Sequence, residues 1–132
     1  MKKLIPFLLT MLILAGCSST AKVEAKNTYR QVTAKEAAAL MDTEDNYIIL
    51  DVRTETEYAE GHIPNAVCIP NETIGTSEIS ELPDKQQLIL VYCRSGNRSK
   101  QAASKLAALG YTNVVEFGGI NNWTGDTVSG KG

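Results

Sequence analysis

Cys93 is the residue whose surroundings best suit nucleophilic chemistry. The apolar run Leu88-Ile89-Leu90-Val91-Tyr92 leads straight into it, and the polar stretch Arg94-Ser95-Gly96-Asn97-Arg98-Ser99 follows. From Ser99 onward Ala102, Ala103, Leu106 and Ala107 recur at helical spacing, with Gly110 placed to end the helix. A cysteine between a strand end and a helix start faces unpaired backbone N–H groups and the positive end of the helix dipole, a cradle for an anion. Such a thiol ionises easily, and the thiolate is the nucleophile. Charge reinforces this. No Asp or Glu occurs between Lys85 and Val114, whereas Lys85, Arg94, Arg98, Lys100 and Lys105 are basic, in a chain of net charge −2. A local positive field draws anionic substrates and favours the thiolate. Arg94 and Arg98 are the expected binders of an oxyanion donor, and Gly96 and Asn97 tolerate the left-handed backbone angles of a tight loop. Lys100 and Lys105 suit a solvated helix face equally well.

The other chemistry-bearing residues read as supports. Asp51 ends the apolar stretch Tyr47-Ile48-Ile49-Leu50. It is expected as a brace that accepts hydrogen bonds from the loop region or from an arginine, not as a general base. Arg53 is expected as an ion-pair partner that positions the loop. His62, the one histidine, belongs to the turn-rich Gly61-His62-Ile63-Pro64-Asn65, and a thiol that ionises through its loop needs no base. Cys68 lies between Val67 and Ile69 and reads as a small buried hydrophobe. With no Cys-x-x-Cys pair, a thioredoxin-type oxidoreductase and a zinc site are both disfavoured, so no metal is expected.

The elements that must position these residues alternate between strand and helix patterns. Tyr29–Val32 suits a short strand, and Thr33-Ala34-Lys35-Glu36 forms a capping box that opens a helix running to Met41. Tyr47–Val52 is a buried strand, after which Thr54-Glu55-Thr56-Glu57 opens a second short helix by the same device. Ala66–Ile69 is a third strand, and the polar segment Asn71–Leu82 is expected to hold a short helix. The strand Leu88–Tyr92, the cysteine loop and its helix come next, and Val114–Phe117 makes a last strand before Gly118-Gly119 and Trp123. Strands alternating with helices predict an α/β fold, a parallel sheet covered on both faces. In such a sheet the reactive crevice lies beyond the carboxyl ends of the strands, where Asp51 and Cys93 both fall.

The first residues have a different character. Lys2 and Lys3 precede an apolar run, Leu4 to Ala15, too short to cross a bilayer but suited to a secretory signal. The run ends in Leu14-Ala15-Gly16-Cys17, which resembles the lipobox of bacterial lipoproteins. That resemblance implies residues 1–16 as a signal peptide, lipidation of the Cys17 thiol, and a mature chain held at the cell membrane or outer membrane, facing the periplasm or cell exterior. Residues 17–28 then read as the lipidated cysteine and a flexible tether, 29–127 as the folded domain and 128–132 as a tail. Without Lys2 and Lys3 the 13 basic residues fall to 11 against 15 acidic ones, a net charge of −4, which gives nucleic acid no footprint.

Three ordered pieces of the domain resemble rhodanese-like domains. Leu50-Asp51-Val52-Arg53, Glu57-Tyr58 and Gly61-His62-Ile63-Pro64-Asn65-Ala66 are similar to the family's first motif. Cys93-Arg94-Ser95-Gly96-Asn97-Arg98-Ser99 is similar to its active-site loop, and Gly110-Tyr111, Gly118-Gly119-Ile120 and Trp123 resemble its C-terminal segment. The resemblance implies a five-stranded parallel sheet with helices on both faces. It also implies transfer of a sulfane sulfur through a persulfide on Cys93, from a small anionic donor such as thiosulfate to a thiol or cyanide. A monomeric domain with no cofactor suffices for that.

Two rival readings come from other classes. Tyrosine phosphatases and arsenate reductases also use a Cys-to-Arg anion loop. Phosphatases place five residues between the two, whereas four separate Cys93 from Arg98 here. The shorter loop suits a sulfur atom better than a tetrahedral phosphate. The other rival is a rhodanese fold acting as a persulfide carrier without turnover, or as a binding or regulatory module.

Overall fold

The structure, a computed structural model, describes residues 28–131. The expected signal peptide, Cys17 and nearly all of the expected tether lie outside the described residues. Five strands form one parallel sheet: β1 (Arg30–Gln31), β2 (Tyr47–Asp51), β3 (Val67–Cys68), β4 (Leu88–Cys93) and β5 (Val114–Gly119), in the spatial order β1-β5-β4-β2-β3. This is the α/β architecture expected. The long apolar runs became the inner strands, and all six residues of β4 are buried, as a strand covered on both faces must be. The two-residue strands β1 and β3 close the edges and leave little unpaired ladder exposed.

Among the described residues three α-helices cover the sheet. α1 (Ala34–Thr43) and α2 (Glu55–Glu60) each begin at a capping box, with Thr33 and Glu36 in one and Thr54 and Glu57 in the other exchanging side-chain and backbone bonds. Ala37 and Tyr58 from these helices pack with Ile49, Leu90, Tyr92, Val115 and Phe117 on one face. α3 (Asn97–Ala108) packs Ala102, Ala103 and Leu106 with Leu50, Ile89, Val91 and Val114 on the other. It starts two residues earlier than the apolar stripe implied, because Gly96, at φ 115°, turns the chain directly into the helix.

Two expectations need correction. The segment from Asn71 to Leu82 holds only a 3-10 turn, Asn71–Thr73. Gly75 and a run of small polar residues sustain no helical stripe, and the segment is instead an irregular strap anchored by buried Ile74 and Leu82. The packed chain also runs past residue 127. Val128 exchanges backbone bonds with His62 at 2.8 Å in both directions, and Gly130 N–H donates to Ala59 O at 2.8 Å.

Register brings the strand ends together. Asp51 lies beside Tyr92 on one side and Cys68 on the other, and Cys93 lies beside Gly119.

Candidate active site

Cys93 is the last residue of β4, and its buried sulfur faces the turn that starts α3. Gly96 N–H donates to Cys93 Sγ at 3.0 Å, and Ser99 Oγ lies 3.4 Å from the sulfur. Burial pushes the thiol up, but hydrogen bonds from the Ser99 hydroxyl and from the backbone N–H groups of Ser99, Gly96 and Ser95 outweigh it. The net shift is downward. Preformed donors around a sulfur in this way hold negative charge there without proton transfer.

Gly119 lets the loop reach this position. A Cβ built on it would stand 1.9 Å from Arg94 O and 2.6 Å from Ser95 N, so the loop backbone rests directly against β5. Asn121 N–H donates to Arg94 O at 3.2 Å and fixes the same contact. Gly118, at φ 90°, supplies the left-handed bend just before it.

Asp51 and Arg53 form the expected brace. Both are buried, and Arg53 Nη2 meets Asp51 Oδ2 at 2.6 Å while its Nε and backbone N–H meet Oδ1 at 3.0 and 2.9 Å. Tyr92 adds a strut that sequence reasoning missed, having read it only as the end of an apolar run. Its hydroxyl donates to Asp51 Oδ2 at 2.7 Å and accepts the Ile63 N–H at 3.1 Å. Arg53 Nη2 also donates to Gly61 O at 2.7 Å, so the motif Gly61–Ala66 is tied to β2 and β4 at once.

The two loop arginines separate. Arg98, expected to bind an oxyanion, turns its guanidinium onto Glu57 instead, with Nη1–Oε1 at 2.7 Å and Nη2–Oε2 at 3.0 Å. The reason is tertiary: the capping-box carboxylate of α2 faces the first turn of α3, and a planar fork matches it in bidentate geometry. The guanidinium holds the Glu57 carboxyl down to about 2. Arg94 is exposed, and no hydrogen bond or ion pair among the described residues engages its guanidinium. It lines a cavity of about 300 Å³ with Arg53, Glu57, Glu60 and Asn121. Ser95 and Asn97 are exposed beside it.

His62 and Cys68 are structural. The imidazole stacks on Tyr58 with ring centroids 3.6 Å apart, and its Nδ1 bonds Tyr58 O at 2.7 Å. Cys68 is half-buried, with its sulfur 3.7 Å from Arg53 O, and burial together with the Asp51 charge pushes its thiol up to about 11. Trp123 packs on Phe117 with centroids 6.1 Å apart. Sequence reasoning also overlooked Glu116. Its carboxylate is buried behind the cysteine loop and accepts from Ser99 Oγ at 2.5 Å. A charged residue inside the apolar run Val114–Phe117 was the available signal.

Comparison with known proteins agrees with this geometry. The family model described as "Rhodanese-like domain" matches residues 33–126. A "Sulfurtransferase" of Allochromatium vinosum is 44% identical over 85 residues, covering 64% of this chain and 77% of that protein. "Thiosulfate sulfurtransferase GlpE" of Coxiella burnetii is 35% identical over 96 residues, covering 72% of this chain and 87% of that one. The solved structure titled "rhodanese with anions from E. coli" superposes with a TM-score of 0.59 at 32% identity, over 64% of this chain and 99% of the other. With the motif order, the sheet and the sulfur-centred loop in agreement, the chain belongs to the rhodanese-like domain family, among relatives named as sulfurtransferases.

Proposed function

We propose that this protein moves a sulfane sulfur from a donor such as thiosulfate to a thiol or cyanide through a persulfide on Cys93, using no cofactor. The observation that carries the reading is the buried Cys93 sulfur with Gly96 N–H aimed at it from 3.0 Å, in a loop that favours its thiolate. The thiolate attacks the outer sulfur of thiosulfate. An S–S bond forms to Cys93 as the bond to the sulfonate sulfur breaks, and sulfite leaves with the electron pair. Cyanide or a thiolate then takes the outer sulfur and returns Cys93 to its thiolate, which gives ping-pong kinetics. Loop N–H groups stabilise the persulfide anion, and Arg94, the open cation at the cavity, steers the dianionic donor. Arg98 acts at one remove, by tying the loop to α2 through Glu57.

The protein does this at a membrane surface, held by acyl chains on Cys17 and facing outward. Two or more chains on one residue anchor stably where one does not. The support is Lys2-Lys3, the short apolar run and Leu14-Ala15-Gly16-Cys17.

The test is intact mass of the full chain after incubation with thiosulfate, followed by steady-state thiocyanate formation with cyanide. One added sulfur that cyanide removes, lost in Cys93→Ser, with sustained turnover, is the expected result. Sulfur uptake that survives Cys93→Ser refutes the assignment. Loading without turnover identifies a carrier, and aryl-phosphate hydrolysis exceeding sulfur transfer identifies a phosphatase.

A further inference from the structure

The cavity beside the cysteine loop is lined by four charged side chains, Arg53, Glu57, Glu60 and Arg94. Its walls lie beyond the carboxyl ends of the strands, and Arg94 follows the reacting cysteine directly. Two of the charges are met within the fold: Arg53 by Asp51 at 2.6 Å, and Glu57 by the Arg98 fork at 2.7 and 3.0 Å. Arg94 and Glu60 are exposed, and neither side chain makes an ion pair or hydrogen bond among the described residues. A free cation and a free anion thus share one cavity without neutralising each other.

Both stand on fixed backbone. Arg94 O rests against Gly119 and accepts the Asn121 N–H at 3.2 Å. Glu60 is the last residue of α2, and Gly61 after it accepts from Arg53 Nη2 at 2.7 Å. Thr127 completes the lining, held by the backbone bonds that Val128 exchanges with His62 at 2.8 Å. The place of Glu60 is unfavourable for its own helix. A helix C-terminus favours a cation, and α2 has no basic residue in its last turn. An ammonium brought by a ligand would meet both this carboxylate and the carbonyl end of α2. A volume of about 300 Å³ is at the small end of ligand sites, which suits a small molecule.

We propose that this cavity is the acceptor subsite and that Glu60 is a specificity-determining residue. The acceptor is a small zwitterionic aminothiol, with its carboxylate on Arg94 and its ammonium on Glu60. The proposal rests on the sulfur-transfer reading and specifies the thiol that receives the sulfur. The bound thiol gives its proton to solvent, and the thiolate attacks the outer sulfur of the Cys93 persulfide. An S–S bond forms on the acceptor as the bond to Cys93 Sγ breaks, and the electron pair stays on Cys93 as its thiolate. The acceptor leaves as its own persulfide. Thiosulfate has no cation to offer, so it uses Arg94 alone and is repelled by Glu60, which separates donor from acceptor.

The test starts from the full chain loaded to completion with thiosulfate and then freed of it, so that only discharge is read. The rate of sulfur loss from Cys93, followed by intact mass, is measured with free cysteine, with mercaptoethylamine, which lacks the carboxylate, and with mercaptopropionate, which lacks the ammonium. Each variant is compared with wild type for the same thiol, so intrinsic reactivity cancels. Glu60→Gln is expected to slow cysteine and mercaptoethylamine about fivefold relative to mercaptopropionate, the upper end for an exposed ion pair. Arg94→Gln is expected to slow cysteine and mercaptopropionate more than mercaptoethylamine. Glu60→Lys should widen the gap that Glu60→Gln opens. Relative rates in Glu60→Gln that match wild type overturn the proposal, and so does a gap that Glu60→Lys closes. Wild type that loads and is discharged by cyanide, yet gives either result, sinks this proposal alone. Wild type that takes up no sulfur sinks the sulfur-transfer reading along with it.

Discussion

Gly119→Ala tests the contact on which the cysteine loop depends. Gly119 has ordinary extended angles, φ −134° and ψ 160°, so alanine meets no backbone strain there, only a lack of space. Its Cβ would fall 1.9 Å from Arg94 O, 2.2 Å from Arg94 C and 2.6 Å from Ser95 N. Ordinary contact begins near 3.4 Å, so the carbonyl must retreat by about 1.5 Å, and all three atoms are backbone with no rotamer to yield. That retreat pulls on the Asn121–Arg94 bond and carries Gly96 N–H away from the sulfur it meets at 3.0 Å. Overpacking of this kind lowers stability by about 1–3 kcal/mol. A misplacement of about 1 Å at reacting groups lowers catalysis about 10²-fold. The expected outcome is a kcat/KM for thiosulfate and cyanide reduced about 100-fold or more, with a modest fall in Tm. Gly118→Ala is the control. Its Cβ meets nothing within 4 Å, so only the strain at φ 90° is added, about 1–3 kcal/mol of stability, with the loop in place. Activity of Gly119→Ala within threefold of wild type, at unchanged Tm, refutes the account of how the loop is seated.

Three further outcomes follow from the surrounding contacts. Glu57→Gln loosens Arg98 and is expected to lower stability by about 0.5–1 kcal/mol at neutral pH. Because the folded carboxyl lies near 2, below its ordinary 4.5, this difference is full above about pH 5 and shrinks as pH falls from 4.5 toward 2. Thermal melts of the two proteins across that range check it, and a gap that stays constant down to pH 2 counts against the ion pair. Asp51→Asn leaves Arg53 buried opposite a neutral partner and should cost about 3–5 kcal/mol, measured by urea unfolding, with the pH profile of persulfide formation unmoved. A lost acid limb with stability retained makes Asp51 a titrating catalytic group instead. Cys17→Ser should abolish both signal processing and membrane retention, and a variant that still sediments with membranes after a carbonate wash refutes lipid anchoring.

Most of the architecture was legible because it rests on local chemistry. Buried strands need unbroken apolar runs, and Leu88–Tyr92 and Tyr47–Leu50 supply them. Helix starts need capped N–H groups, and Thr33–Glu36 and Thr54–Glu57 provide them within four residues. A cysteine between a strand and a helix stripe gains its donors from the local backbone, so the place of Cys93 at the end of β4 and its Gly96 donor were legible from sequence alone. The 3-10 strap after Pro70 was not legible, since its anchors, Ile74 and Leu82, are isolated apolar residues whose burial depends on distant neighbours. The partners of charged groups were likewise decided in three dimensions. Arg98 chose Glu57, 41 residues away, over a substrate anion, because α2 happens to present its cap carboxylate to α3. Tyr92 joined Asp51 because parallel register sets them side by side. Glu116 reached Ser99 because β5 lies under the cysteine loop, at a spacing that Gly119 alone permits. Spacing along the chain fixes which groups are ionisable and where elements begin. The distances between those groups across the sheet, which set their charge states, exist only after folding.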